Sequence, residues 1–594
     1  MLQSARDHQS VVKGVVMSRM LRLTVCLAIA AGALAAALGA DDPPWIARSK
    51  TGMVTSDSPE ASQIGVDVLK NGGNAFDAAV ATSFALAVGR SESTGLGGGG
   101  FMVAYVAKEK RFAALDFRET APAGATAERY AKLRADRGDG PSPSIYGGNA
   151  IGTPGQFAGL VEVNKRFGSR PLAELIQPAI ELAERGFVID EHFLEAREQV
   201  LEDFQKWPQL RKDHSQLYDM LSSNRAAFRL HGRFRRPALA KALRLIAEHG
   251  PDTLYNGPIG QAMVEAAQAA GGTLTMGDLH GYRVAEREPL RSTYFDFKHE
   301  FEIVSMPPPS SGGVCLAEIF NILEATSERS DLHPVRDRPH VLTEAMKHAF
   351  ADRAEWLGDP DFCEVPVERL TSKSYAAELA RHIAPWKTGK PTDYGSRSAP
   401  PDDGGTSHFC VADKDGNIVA ITETINGNFG SLVVAEPFDI ILNNEMDDFL
   451  TVRGEANLYG LVQSERNLVV PGKRPLSSMA PTIILKDEKP LLVLGASGGP
   501  RIISSVLQVA LNVMEGQPLA DAMTALRLHH QWQPDEIVFD RDPPTELARA
   551  LQSYGHTLSD KRQTGIVQAI QFLDDGTMVG ASDPKKGGRP AGLP

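Results

Sequence analysis

Gly404-Gly405-Thr406-Ser407-His408 joins a linker to a strand. Before it, residues 386–405 are rich in Pro, Gly, Ser and Asp and poor in apolar side chains. Such a composition packs no core and reads as an exposed linker. After it, residues 408–412 form a β-rich run. A threonine behind two accessible glycines has what self-cleavage needs. Its hydroxyl attacks the Gly405 carbonyl, and Gly405, lacking Cβ, tolerates the strained backbone this requires. The Gly405–Thr406 amide breaks as the ester forms, and hydrolysis of that ester leaves Thr406 with a free α-amine, whose unperturbed pKa is about 7.7–8.0. That amine can serve as base for its own hydroxyl. Taken alone, the same five residues also read as an ordinary loop entering a strand.

Around this point the chain alternates strand and helix signals. Residues 408–412 and 418–424 flank Asp413-Lys414-Asp415-Gly416, a hairpin pattern. A second hairpin is expected over 481–485 and 491–494, and a third over 565–572 and 577–580. Residues 501–514 read as a helix. Nearer the start, Ala61, Ile64, Gly65, Val68 and Leu69 follow helical spacing up to Gly72-Gly73. Asn74 can cap a second helix over 75–88, and strands follow at 101–107 and 112–117. Residues 160–290 are mostly helical, with the arginines of 225–236 expected on a solvated helix face. At 594 residues the chain is long for one core and suggests two or more lobes.

Composition narrows the class. Apolar residues make up 42% and charged ones 23%, the balance of a folded globular protein. A net charge of −12 argues against a nucleic-acid coat. Arg19 and Arg22 precede the apolar run 23–38, and Ala37-Leu38-Gly39-Ala40 follows with charge beyond it. This is the order of a secretory signal peptide, with Met17 or Met20 as alternative starts. Residues 1–40 are therefore expected to be leader and signal, and the product to be periplasmic or extracellular with no stable membrane span. An uncleaved anchor is the competing reading, although the run is short for a span of about 20 residues. Cys315, Cys363 and Cys410 remain after processing, allowing one disulfide at most. Neither Cys-x-x-Cys nor His-Glu-x-x-His occurs, so a metal site has no motif behind it.

Two patterns compete for the chemistry. Gly95-Leu96-Gly97-Gly98-Gly99-Gly100 matches a dinucleotide fingerprint, but with a helix before and a strand after, the reverse of what that motif requires. Gly495-Ala496-Ser497-Gly498-Gly499 matches a nucleophile elbow between strand and helix, with Asp540 and His556 downstream as acid and base. The elbow comes late, and no HGGG-type loop precedes it.

Many ordered motifs settle the balance. They are Gly72-Gly73-Asn74-Ala75-Phe76-Asp77-Ala78-Ala79, Gly97 to Phe101, Asp116-Phe117-Arg118-Glu119, Leu357-Gly358-Asp359-Pro360, Thr406-Ser407-His408, Asn443-Asn444-Glu445-Met446-Asp447-Asp448-Phe449, Arg474-Pro475-Leu476-Ser477-Ser478-Met479, Gly498-Gly499 and Ala581-Ser582-Asp583-Pro584. With these, the chain resembles the γ-glutamyltranspeptidases, among the N-terminal-nucleophile hydrolases. The resemblance implies an α+β fold, a four-layer αββα sandwich. It implies a precursor cut between Gly405 and Thr406 into a large chain (41–405) and a small chain (406–594), paired as a heterodimer. Thr406 is then the nucleophile, oriented by Thr424. Gly498 and Gly499 offer N–H groups to the oxyanion, in keeping with the free donors at a helix start. Arg118, Ser477 and Ser478 hold an α-carboxylate, for which the guanidinium fork is suited. Asn426, Glu445 and Asp448 hold the α-ammonium, and Tyr459 lies in a lid over residues 450–467.

The activity implied is cleavage of γ-glutamyl amides such as glutathione, with transfer to water or an amine and no metal or organic cofactor. A cephalosporin (glutaryl) acylase is the nearer alternative, and an inactive binding protein of the same fold the more distant one. The chain departs from the common pattern at Gly89-Arg90-Ser91-Glu92-Ser93, where many members read Glu-Pro and a polar pair, and at Gly404-Gly405, where others carry bulkier residues. Purified protein is expected to give two bands on a denaturing gel. Thr406→Ala is expected to stay as one band, and a variant that still splits there would rule Thr406 out.

Overall fold

Two seven-stranded antiparallel sheets carry the architecture. The structure is a computed structural model and describes residues 42–594 except 137, 139, 223–227, 297, 334, 396–404 and 454–463. In chain order the strands of these sheets are β1 (Ile46–Ser49), β2 (Gly52–Ser56), β3 (Gly99–Val106), β4 (Arg111–Phe117), β5 (Ala285–Arg287), β6 (Leu290–Phe295) and β7 (Glu300–Ser305). They continue with β8 (Gly405–Asp413), β9 (Ile418–Asn426), β10 (Thr482–Lys486), β11 (Lys489–Ser497), β12 (Ile566–Phe572), β13 (Met578–Ser582) and β14 (Ala591–Gly592). One sheet runs β1-β13-β12-β11-β10-β7-β6 and the other β14-β2-β8-β9-β3-β4-β5. Each sheet takes strands from both sides of position 406, so neither part holds a complete sheet alone.

Alternation along β8 fixes the layers. Phe409 and Val411 face the helices α1 (Pro59–Lys70), α2 (Ala75–Gly89), α3 (Gln156–Phe167) and α4 (Leu172–Arg185). Cys410 and Ala412 face the other sheet, where they join Val493, Leu494, Val567 and Ala569. Beyond that sheet lie α6 (Gly312–Ser327), α7 (Arg338–Trp356) and α8 (Arg501–Met514). The order is helix, sheet, sheet, helix, as the resemblance implied. Trp45–Pro594 is one compact unit rather than two lobes. Both helical layers rest on sheets that pack on each other, so no boundary is left between them.

Local signals explain most elements. Asn74 caps α2 through Phe76 and Asp77 N–H, and Asp77 returns the bond in a capping box. The three hairpins form where turn residues interrupt apolar runs; Asp487 and Glu488 take φ 51° and 61° between β10 and β11. Elsewhere the structure corrects the sequence. Residues 228–236 are a turn and the short strand Arg233–Phe234, and Arg236 is buried with its guanidinium on the Asp439 carbonyl. Residues 386–395 are fastened rather than free. Trp532 Nε1 donates to Pro391 O at 2.8 Å and Lys347 Nζ to Thr388 Oγ1 at 2.6 Å. Cys315, Cys363 and Cys410 are unpaired thiols.

Glu423 on β9 is buried against α2, where Ser83 Oγ donates to it. Burial pushes its carboxyl up to about 8, against about 4.3 in an unfolded chain. The native state therefore holds a proton that the unfolded chain releases, and this group's contribution to stability falls as pH rises between those values. Glu423→Gln is expected to melt progressively higher relative to the parent as pH goes from 5 to 8. Parallel melting curves across that window would refute it.

Candidate active site

Thr406 and Thr424 face each other across the β8–β9 ladder, where the register shifts between Gly405 and Thr406. Both are buried. Thr424 Oγ1 donates to Gly405 O, accepts from Asn426 N–H at 2.8 Å and lies 3.1 Å from Thr406 Oγ1. A hydroxyl has one hydrogen and two lone pairs. Thr424 spends its hydrogen on the Gly405 carbonyl, so the Thr406 hydroxyl must be the donor in the third contact. The Thr406 oxygen is thereby oriented with its proton directed away, beside the carbonyl it is expected to attack.

Gly405 does not have a positive φ. Its requirement is space: a Cβ there would sit 2.4 Å from Gly427 O. The backbone expected to be strained at this glycine is not left-handed, and what the missing Cβ permits is close approach to the β9 exit. Gly498 and Gly499 do have positive φ, 117° and 56°, between the end of β11 and the start of α8. Gly498 lines a cleft of about 1060 Å³ together with Asn426, Gly427, Asn444, Ser497 and His192.

The elbow reading fails on partners. Ser497 Oγ accepts from Lys586 Nζ at 3.5 Å. His556 bonds His340 at 2.8 Å instead, and Asp540 pairs with Lys585 at 2.7 Å. His340, Glu344 and His556 form a buried group with metal-like spacing. Hydrogen bonds already account for it: His340 Nε2 meets Ala384 O at 2.9 Å, and Glu344 accepts from Thr388 and Tyr394.

Beyond Asn444, whose carbonyl accepts from Asn426, the structure brings Arg118, Glu445 and Asp448 together. Arg118, 1% exposed, pairs through Nη1 with Glu445 and through Nη2 with Asp448. Burial holds Glu445 and Asp448 toward their protonated forms, with Arg118 opposing it. Asn426 donates Nδ2 to Asn444 O at 3.0 Å, while its Oδ1 and Glu445 Oε2 are buried without a hydrogen-bond partner. Both oxygens of Glu119 share that state. This is a corner rich in acceptors and poor in donors.

Ser477 Oγ accepts from Met479 N–H at 3.2 Å, and Ser478 Oγ from Arg353 Nη2 at 3.1 Å. Because Arg353 can only donate, the Ser478 hydrogen is left to point elsewhere. Arg353, Ser311, Asn443 and Lys586 were not singled out from sequence. Asn443 donates to Gly97 O and Gly152 O and accepts from Glu445 N–H, holding the acidic turn against β3. Its neighbourhood in the Asn443 to Phe449 motif was the available signal. Tyr459 lies outside the described residues. The flanks of its segment are pinned beside the site, with Asn467 Nδ2 on Asp448 O at 2.6 Å and Leu476 N–H on Asn467 Oδ1 at 3.1 Å.

A family model described as Gamma-glutamyltranspeptidase matches residues 61–593. The chain belongs to the γ-glutamyltranspeptidase family. It is 40% identical over 548 residues to a glutathione hydrolase proenzyme of Escherichia coli strain K12, covering 91% of each chain. A glutathione hydrolase proenzyme of Pseudomonas sp. strain A14 is 38% identical, covering 92% of this chain and 91% of its own. The crystal structure of a cephalosporin acylase from Bacillus halodurans superposes with a TM-score of 0.80 at 26% identity, covering 94% of this chain and 99% of the other. As a member of this enzyme family the chain is a γ-glutamyltransferase and glutathione hydrolase by type, with the N-terminal-nucleophile fold.

If Thr424 supports the Gly405 carbonyl as negative charge develops there, Thr424→Val removes an oxyanion donor. Loss of one such donor slows a reaction by about 100-fold or more. Precursor of that variant should accumulate in a gel time course while Thr424→Ser processes. Cleavage of Thr424→Val at the parent rate would refute this role.

Proposed function

We propose that the chain cleaves itself between Gly405 and Thr406 and then uses Thr406 to transfer γ-glutamyl groups from glutathione and related donors to water or an amine. The relay Gly405–Thr424–Thr406 supports the first step, since it holds attacked carbonyl and attacking hydroxyl on one partner. In the second, the freed α-amine takes the hydroxyl proton as the Thr406 oxygen adds to the γ-carbonyl. The backbone N–H groups of Gly498 and Gly499 would receive the oxyanion. Collapse expels the amine, protonated by the same α-amine, and leaves a γ-glutamyl ester. Water or an acceptor amine then repeats the cycle. The freed α-amine of Thr406 carries the proton in each of these acyl-transfer steps.

The buried, donor-less oxygens of Asn426 and Glu445 carry the substrate assignment. An α-ammonium brings three N–H donors to this corner, with Asp448 as a further acceptor. Arg118, Ser477 and the outward hydrogen of Ser478 would meet the α-carboxylate. Residues 41–405 and 406–594 would stay together as large and small subunits because their strands interleave in both sheets. Export follows from the apolar run at 23–38, which lies outside the described residues. Among the described residues no helix is long and apolar enough to cross a membrane.

A second reading, a glutaryl acylase, is favoured by the similarity to the solved acylase. A glutaryl group keeps the distal carboxylate and lacks only the ammonium, so it isolates the acceptor corner. Sites built for polar groups reject analogues lacking them, here by at least about 100-fold. The ratio of kcat/KM for γ-glutamyl- over glutaryl-p-nitroanilide is expected to exceed that value. A ratio near one would favour the acylase.

A further inference from the structure

Where the sequence departs from its family, at Gly89-Arg90-Ser91-Glu92-Ser93, the structure places a buried cation behind the nucleophile. Arg90 is the C-cap residue of α2 and 3% exposed. Its Nε donates to Asp57 O at 2.8 Å and its Nη2 to Lys586 O at 2.9 Å, and Nη2 also pairs with Asp190. Lys586 is equally buried. Its Nζ donates to Thr406 O at 2.8 Å and meets Asp57 Oδ2 at 2.7 Å. Asp57 Oδ2 accepts from Ser407 Oγ at 3.1 Å as well. We propose that Arg90 is a positioning residue for the nucleophile, holding the Lys586 backbone while the Lys586 ammonium holds the carbonyl of Thr406. This rests on the reading of Thr406 given above.

The physical need is specific to a chain that cuts itself. Before cleavage, the clamp on the Thr406 carbonyl sets the Thr406 hydroxyl for attack on Gly405. Afterwards its amine side is a free end, and only the ladder to β9 and the bond to its own carbonyl fix the residue. The Lys586 clamp holds the Thr406–Ser407 peptide plane, and through it the hydroxyl and α-amine. Asp57, Arg90 and Asp190 come from the large-chain side of the cut, Ser407 and Lys586 from the small-chain side. The cluster therefore also spans the cut at the nucleophile's back. Two buried cations face Asp57 and Asp190, with Glu92 3.6 Å from Arg90, so the clamp is charge-compensated by groups it also orients. A planar fork reaching three acceptors explains arginine here; lysine would reach fewer.

The test uses purified full-length Arg90→Lys, Arg90→Met, Lys586→Met and the two doubles. Small displacements of a reacting group cost up to about 100-fold in rate, so Arg90→Lys is expected to lose about tenfold in kcat on γ-glutamyl-p-nitroanilide with KM within about twofold. Arg90→Met should lose more. Combined with Lys586→Met, either Arg90 change should add little, because both act through one contact. Parent kcat in Arg90→Lys, or losses that simply multiply in the double, would overturn the proposal. If Arg90→Met does not fold, the Arg90→Lys and Lys586→Met cycle decides alone. Self-cleavage rate is read on the same proteins. If the parent turns over no γ-glutamyl substrate, the functional reading falls while that rate still tests the clamp, with slower cleavage in Arg90→Lys expected and parent-rate cleavage overturning it.

Discussion

One hydroxyl, that of Thr424, sits where the two reacting groups of the chain must meet. It can donate once and accept twice, and all three bonds go to the β8–β9 junction. That arrangement requires Gly405 to lie in the ladder opposite Asn426, with no Cβ between it and the Gly427 carbonyl. It also requires β9 to be held in mid-sheet between β8 and β3, which the full burial of both β8 and β9 reflects. The large hydrophobic layers on either side exist, in functional terms, to keep this pair of strands from shifting by a fraction of an ångström.

Charge is handled differently at the two faces of the nucleophile. In front, Arg118 is shared between Glu445 and Asp448, with Glu119 3.8 Å away. That excess of carboxyl groups over cations suits a guest that brings its own ammonium. Behind, two cations, Lys586 and Arg90, stand against Asp57, Asp190 and Glu92. Breaking a buried pair by removing one partner leaves an uncompensated charge, which costs about 3–5 kcal/mol. Such a cluster is rigid for that reason.

Much of this was legible in the chain. Hairpins and capped helices are local events, so Asn74, Asp77 and the turn residues predict them from neighbouring positions alone. The residues proposed to read a glutamyl group were legible through resemblance, as runs of consecutive residues. Lys586 was missed although the quoted ending stops two residues before it, because a lysine among Pro, Lys and Gly carries no pattern of its own. Arg353 lies in the last turn of α7, where a single sequence gives no reason to separate it from a surface arginine. The arginines of 225–236 read as one solvated face, yet Arg236 finds a carbonyl 203 positions away and is buried.

The sequence by itself determined most elements, their order and the family, since these depend on short-range periodicity, turn chemistry and contiguous motifs. Tertiary structure alone decided that Thr424 spends its hydrogen on Gly405, that Gly405 is needed for space rather than for φ, and that Ser497 has a lysine rather than a histidine beside it. It also decided that Arg90 stands behind Lys586. Each of these is a contact between strands or loops far apart in the chain. Hydrogen-bond direction, close approach and charge pairing at such distances are fixed only when the sheets have packed.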